Sequence, residues 1–131
     1  MINVTDSVES IDGRHIVVVD DDVEILEVTK LLLKSDGARV SEFSNAEEAL
    51  NFISGNADNI DIVMTDQSMR SHMQGDELVQ RITASWPAIN CLIMTGFAAH
   101  KKLERVNVKV MQKPINHSTL VSQLKSFYVK Y

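Results

Sequence analysis

The chain predicts one α/β domain, a doubly wound parallel sheet of five strands flanked by five helices. Short apolar runs rich in β-branched residues alternate with segments whose apolar residues repeat at helical spacing. The polar residues suited to chemistry stand where the apolar runs end.

The first run, "HIVVV" (15–19), leads into Asp20, Asp21 and Asp22. A helix follows, marked by Ile25, Val28 and Leu32 and stopped near Gly37. Asp22 suits its start, because a carboxylate there accepts from unpaired N–H groups and is favoured by the helix dipole. The second run, "ARVSEF" (38–43), alternates in polarity and suits a sheet edge. Behind it, Ala46, Ala49, Leu50 and Ile53 mark a helix opened by a Ser44-x-x-Glu47 capping box.

The third run, "IDIVMT" (60–65), ends at Asp66, and Leu78, Val79, Ile82 and Trp86 mark a helix stopped before Pro87. The fourth, "NCLIMT" (90–95), ends at Thr95. Its crossover, "GFAAHKKLERVN", has room for about two to three helical turns. The fifth run, "VKVMQ" (108–112), ends at Gln112 and Lys113, followed by Pro114. Leu120, Leu124, Phe127 and Tyr128 mark the last helix. Such alternation implies right-handed crossovers, and the unbroken apolarity of strands one, three and four implies helices on both faces.

Length and composition fit this reading. A chain of 131 residues with 44% hydrophobic residues can bury a core without a disulfide or structural metal. The net charge of -5 argues against a general nucleic-acid surface. No apolar run approaches the roughly 18 to 20 residues a membrane span needs, and the polar leader, residues 1–13, lacks the features of a signal peptide. The domain is therefore expected over 14–131, in the cytoplasm. Cys91, within "CLIM", reads as an inert core thiol.

In a doubly wound sheet, ligands bind beyond the carboxyl ends of the strands where the strand order reverses. Asp20, Asp21, Asp66, Thr95 and Lys113 all fall at such ends. Clustered carboxylates repel, and a hard cation such as Mg2+ answers that repulsion with an octahedron of oxygen ligands. A lysine and a hydroxyl nearby suit the oxygens of a phosphoryl group, and Asp66 suits the nucleophile.

The motifs "VVVDDDVEIL", "IVMTDQSM", "IMTG" and "QKPI", in this order, resemble the CheY-like receiver domain of two-component response regulators. The resemblance spans about residues 14–130. It implies a flavodoxin-like sheet of strand order 2-1-3-4-5. It also implies that Asp66 accepts a phosphoryl group from a phosphohistidine of a sensor histidine kinase or a histidine phosphotransfer protein. By the same resemblance, Asp20, Asp21, Asp66 and the Ser68 backbone carbonyl hold Mg2+. Thr95 and Lys113 match the residues that contact the phosphoryl group, and the peptide bond before Pro114 matches one that is usually cis. A receiver catalyses only its own phosphorylation and dephosphorylation, so it is not counted as an enzyme. It acts on an output domain or target protein, without binding nucleic acid or membrane itself.

The chain departs from the pattern in three places. Arg70 stands where a proline is usual, and Gly75 falls one residue late, so the loop after strand three carries an insertion at 70–74. The segment from Thr95 to Lys113 is shorter than usual. Val110 replaces the aromatic residue that turns inward on phosphorylation, so the readout is expected to pass through another element, such as the loop after strand three.

Two other readings compete. A pseudo-receiver would keep the fold as a binding module without phosphorylation. A haloacid-dehalogenase-like phosphatase would use Asp20-x-Asp22, but it needs acidic residues downstream of the lysine, and Pro114 to Tyr131 holds none. His15, His72, His100 and His117 share no metal-ligand spacing and read as surface or strand-edge residues. Lys101, Lys102 and Arg105 read as a solvated face.

Overall fold

The computed structural model describes residues 10–128. In chain order the elements are β1 (His15–Val19), α1 (Val23–Ser35), β2 (Arg39–Phe43), α2 (Ala46–Asn56), β3 (Ile62–Asp66), α3 (Gly75–Ser85), β4 (Asn90–Thr95), a 3₁₀ helix (Ala98–Leu103), β5 (Val108–Gln112) and α4 (His117–Lys125). The strands pair in parallel in the order β2-β1-β3-β4-β5. This is the expected doubly wound sheet. Among the described residues its helical layer consists of four α-helices, with the 3₁₀ helix Ala98–Leu103 filling the short fourth crossover.

Successive strand residues point to opposite faces, so each strand feeds two cores. Val17, Val63 and Ile93 pack against Ala49 and Ile53 of α2 and Leu78 and Ile82 of α3. Ile16, Val18, Met64 and Leu92 pack against Leu26 and Leu33 of α1 and Leu120 and Leu124 of α4. β3 is buried throughout, whereas β2 at the edge has no fully buried residue. Burial on both faces fixes the register, and with it which side chains emerge at the strand ends.

Two local expectations need correction. Ile25 and Val28 do not form the buried face of α1: they are 45% and 56% exposed, beside Val23 and Leu31 at 68% and 57%. The buried residues are Leu26 and Leu33. Apolar residues surround most of this helix, so two faces fit the same periodicity and packing against the sheet selects one.

The cap of α2 is Asn45 rather than Ser44, its side chain accepting from the Glu48 N–H at 2.8 Å. Glu47 is thereby freed to accept from the Met73 N–H at 3.0 Å. Residues 1–9 lie outside the described residues; Ile11, in the stretch expected to be a leader, is buried in the α1 and α4 core.

The helix ends follow from local chemistry. Asp22 caps α1 as expected, accepting from the Glu24 and Ile25 N–H groups at 3.0 and 3.2 Å. α1 closes in a Schellman motif: Ala38 donates to the Leu33 carbonyl and Gly37 to that of Lys34. Gly37 has φ +90°, and a Cβ there would collide with the Asp12 carboxylate. Phe127 and Tyr128, expected in the last helix, continue it as a 3₁₀ turn, Ser126–Tyr128.

Candidate functional site

β1 and β3 lie side by side in the centre of the sheet, and their ends bring Asp20, Asp21 and Asp66 together. A carboxylate oxygen from each lies within 4.8 Å of the others. Asp20 and Asp66 are buried, at 2% and 6% exposure, and Asp21 is half-buried.

Asp20 Oδ1 accepts from the Asp22 N–H at 2.9 Å. Its other oxygen, Oδ2, is buried and has no hydrogen-bond partner among the described residues. Burial pushes the Asp20 carboxyl above the usual carboxylate range; the Asp22 N–H opposes this, and the charge of Asp66 adds to it. An orphaned carboxylate oxygen facing two further carboxylates fits a bound hard cation.

Lys113 reaches Asp66 from the end of β5. Its Nζ lies 2.7 Å from Asp66 Oδ1, and its backbone N–H donates to the Thr95 carbonyl at 2.7 Å. The Lys113–Pro114 peptide bond is cis. Thr95 is 2% exposed at the end of β4, the strand beside β3. All five polar residues expected at the strand ends therefore occupy one edge of the sheet.

The loop after β3 is held by its own side chains. Gln74 accepts from the Met69 N–H and donates to the Met69 and Ser71 carbonyls, all within 2.9 Å. Met69 and Met73 anchor the loop in the core. Gly75 lets α3 close onto the end of β3: a Cβ there would stand 2.3 Å from the Asp66 carbonyl oxygen. Among the described residues, no hydrogen bond takes the Ser68 carbonyl.

Two contacts at this edge escaped sequence reasoning. Arg70 grips Asp21: its backbone N–H donates to Oδ2 at 2.8 Å, its Nε to the same oxygen at 3.2 Å, and its Nη2 to the Asp21 carbonyl at 3.2 Å. Slight burial acts to raise the Asp21 carboxyl, but the Arg70 N–H and guanidinium hold it below its usual range. These partners are 49 residues apart, and no local pattern joins them. The second contact is between Thr95 Oγ1 and His100 Nδ1, 2.6 Å apart. His100 was expected to be a surface or strand-edge residue.

The remaining titratable groups behave as expected or serve packing. Burial pushes the Cys91 thiol up to about 12, so it is inert. His15 is wedged between the Asn59 carbonyl and Ser41 at the sheet edge, and His117 pairs with Asp36 at 2.7 Å. Lys101 pairs with Glu104 at 3.3 Å, and Arg105 donates to the Lys102 and Glu104 carbonyls, which makes this cluster self-contained. A cavity of about 510 Å3 opens beside Asp20 and Lys113 and runs between α1 and α4, past Ile25, Val28 and Leu120. Among the described residues, no helix is long and apolar enough to cross a membrane.

Comparison with known proteins agrees with this geometry. Two-component response regulator ORR27 of rice (Oryza sativa subsp. japonica) is 46% identical over 79 residues, 59% of this chain. The matched region spans 13% of the length of that relative. A response regulator receiver domain protein from Clostridium thermocellum superposes with a TM-score of 0.78 at 27% identity, covering 88% of this chain and 94% of the other. A chain of the CheX-CheY-BeF3-Mg+2 complex from Borrelia burgdorferi shares the fold, with a TM-score of 0.82 at 21% identity over 91% of this chain and 92% of that one. The family model for the response regulator receiver domain matches residues 16–125. The chain belongs to the response regulator receiver domain family of two-component signalling.

Proposed function

We propose that Asp66 accepts a phosphoryl group from a phosphohistidine and that the resulting acyl phosphate switches the domain. The observation that carries this reading is the pairing of Asp66 with Lys113 Nζ at 2.7 Å, opposite a buried carboxylate oxygen of Asp20 that has no partner. One side of the acceptor is already neutralised, and the other is set for a cation. Asp20, Asp21, Asp66 and the Ser68 carbonyl are the residues to hold Mg2+, which supplies positive charge to the phosphoryl oxygens.

A carboxylate oxygen of Asp66 attacks phosphorus, forming a P–O bond as the P–N bond to the donor histidine breaks. The leaving imidazole takes a proton from solvent. The protein's share is positioning and charge neutralisation, the main demands of phosphoryl transfer. Lys113 orients the phosphoryl oxygens, and the Thr95 hydroxyl offers a hydrogen bond in one of two states. The donor is a sensor histidine kinase or a histidine phosphotransfer protein. The exposed stripe of Val23, Ile25, Val28 and Leu31 on α1, beside the acidic edge, supports docking of a protein donor there. The module is a signalling switch with no independent substrate.

The pseudo-receiver reading has one observation in its favour: Arg70 occupies Asp21, one of the proposed ligands. Intact-mass analysis after incubation with acetyl phosphate and Mg2+ separates the two. We expect one added phosphoryl group on the wild type and none on Asp66→Asn. No added mass on the wild type, or added mass that persists in Asp66→Asn, would reject the phosphoacceptor reading.

A further inference from the structure

The Thr95 hydroxyl, expected to serve the phosphoryl group, is already engaged by the segment that follows its own strand. Phe97 N–H donates to Thr95 Oγ1 at 3.1 Å, and His100 Nδ1 lies 2.6 Å from the same oxygen. His100 sits on the 3₁₀ helix Ala98–Leu103, with its ring edge-on to exposed Phe97 at 5.8 Å and 89°. At the far end of this short helix, Glu104 accepts from the Val110 N–H at 3.0 Å. The segment Phe97–Glu104 therefore touches Thr95 through His100 and β5 through Glu104. Val110 itself is 1% exposed and packed in the core, with neither a ring to swing nor a polar atom to report.

We propose that His100 is a positioning residue for Thr95. It holds the hydroxyl toward the 3₁₀ helix in the unphosphorylated domain and releases it when the hydroxyl turns to a phosphoryl group on Asp66. The segment Phe97–Glu104, rather than residue 110 or the loop after β3, then carries the readout. A hydroxyl has one hydrogen to donate, so a bond given to His100 Nδ1 and a bond given to a phosphoryl oxygen exclude each other. The competition belongs to the tautomer in which Nδ1 accepts; an Nδ1–H would leave the hydroxyl hydrogen free for the phosphoryl group. In the accepting tautomer the two partners compete, and a competing equilibrium is what couples the site to the segment. The shortness of the fourth crossover supplies the geometry, because a 3₁₀ helix begun three residues after Thr95 brings His100 back to the strand end.

This inference rests on the phosphoacceptor reading, and the test separates the two. Beryllofluoride with Mg2+, a stable stand-in for the acyl phosphate, is titrated into the wild type, His100→Ala and His100→Asn, with amide resonances followed by NMR. An ordinary hydrogen bond contributes about 0.5–1.5 kcal/mol, so removing the competitor should tighten beryllofluoride binding by roughly 2- to 12-fold in His100→Ala. His100→Asn, which places a polar side-chain atom near the Nδ1 position, should restore wild-type affinity.

In the wild type the amides of Phe97–Glu104 should shift on binding. In His100→Ala without ligand they should already lie toward the bound positions. On a Thr95→Ala background the His100→Ala substitution should have no further effect on affinity. Unchanged affinity in His100→Ala, or unshifted Phe97–Glu104 amides in a wild type that binds beryllofluoride, overturns the latch alone. A wild type that binds no beryllofluoride overturns the phosphoacceptor reading and the latch with it.

Discussion

Replacing Asp20 with Asn should make the metal-free domain more stable and should abolish its response to Mg2+. In the absence of metal, Asp20 holds a buried charge facing Asp21 and Asp66, with carboxylate oxygens within 4.8 Å. Two unit charges at that separation repel by about 3.5 kcal/mol at an effective dielectric of about 20. Lys113 at 2.7 Å from Asp66 and Arg70 at 3.2 Å from Asp21 offset part of this. The amide keeps the bond from the Asp22 N–H and gives the orphaned position a donor aimed at carboxylates. A net gain of about 1–3 kcal/mol follows, or roughly 3–12 °C in Tm for a domain of this size.

The sign with pH is fixed. The Asp20 carboxyl is raised in the folded protein, so the folded state binds more protons than the unfolded state between about pH 3.9 and the raised value. Wild-type stability therefore falls as pH rises through that window, and above it the loss is complete. The advantage of Asp20→Asn should be full above the raised value and vanish near pH 3. Scanning calorimetry with and without Mg2+ measures both effects. For the wild type, a concentration of about 100 times Kd adds about 2.7 kcal/mol. A metal-free Asp20→Asn no more stable than the wild type, or one stabilised equally by Mg2+, would refute the account of this strand end.

The other predictions concern the loop and the caps. The Arg70 side chain is 85% exposed, so Arg70→Ala should change stability by less than about 1 kcal/mol while tightening Mg2+ binding several-fold in a calorimetric titration; weaker binding contradicts the competition between guanidinium and cation. Gly75→Ala places a Cβ against the Asp66 and Gln67 backbone, which cannot step aside, and should cost about 2–3 kcal/mol in a denaturant melt. Asn45→Ala should cost about 1 kcal/mol and Ser44→Ala less than about 0.5; the reverse order contradicts the cap assignment.

Much of the site was legible because strand ends are marked in one dimension. Where a buried apolar run stops, the next polar residue must emerge at the sheet edge, which placed Asp20, Asp66, Thr95 and Lys113 without knowledge of any contact. The parallel sheet followed from the alternation of strands with helices, and the burial of strands one, three and four on both faces from their unbroken apolarity. The buried face of α1 was not legible, because Ile25, Leu26, Val28, Leu31, Leu32 and Leu33 satisfy helical periodicity on more than one side. Only the sheet decides between them. The cap of α2 slipped by one residue because Ser44 and Asn45 are both good caps, each with a glutamate three residues on. Arg70 and His100 act through contacts set by loop geometry, and neither residue type nor spacing announces them.

The central claim is that Asp66 is the phosphoacceptor, and the most direct measurement locates the modified atom. The protein is treated with acetyl phosphate and Mg2+ and reduced with borohydride, which converts an aspartyl phosphate to homoserine, and its peptides are then sequenced by mass spectrometry. Homoserine at position 66 alone, dependent on Mg2+ and lost in Asp20→Asn, is the predicted result. Homoserine at another aspartate, or none at all in a protein shown to be folded, would contradict it.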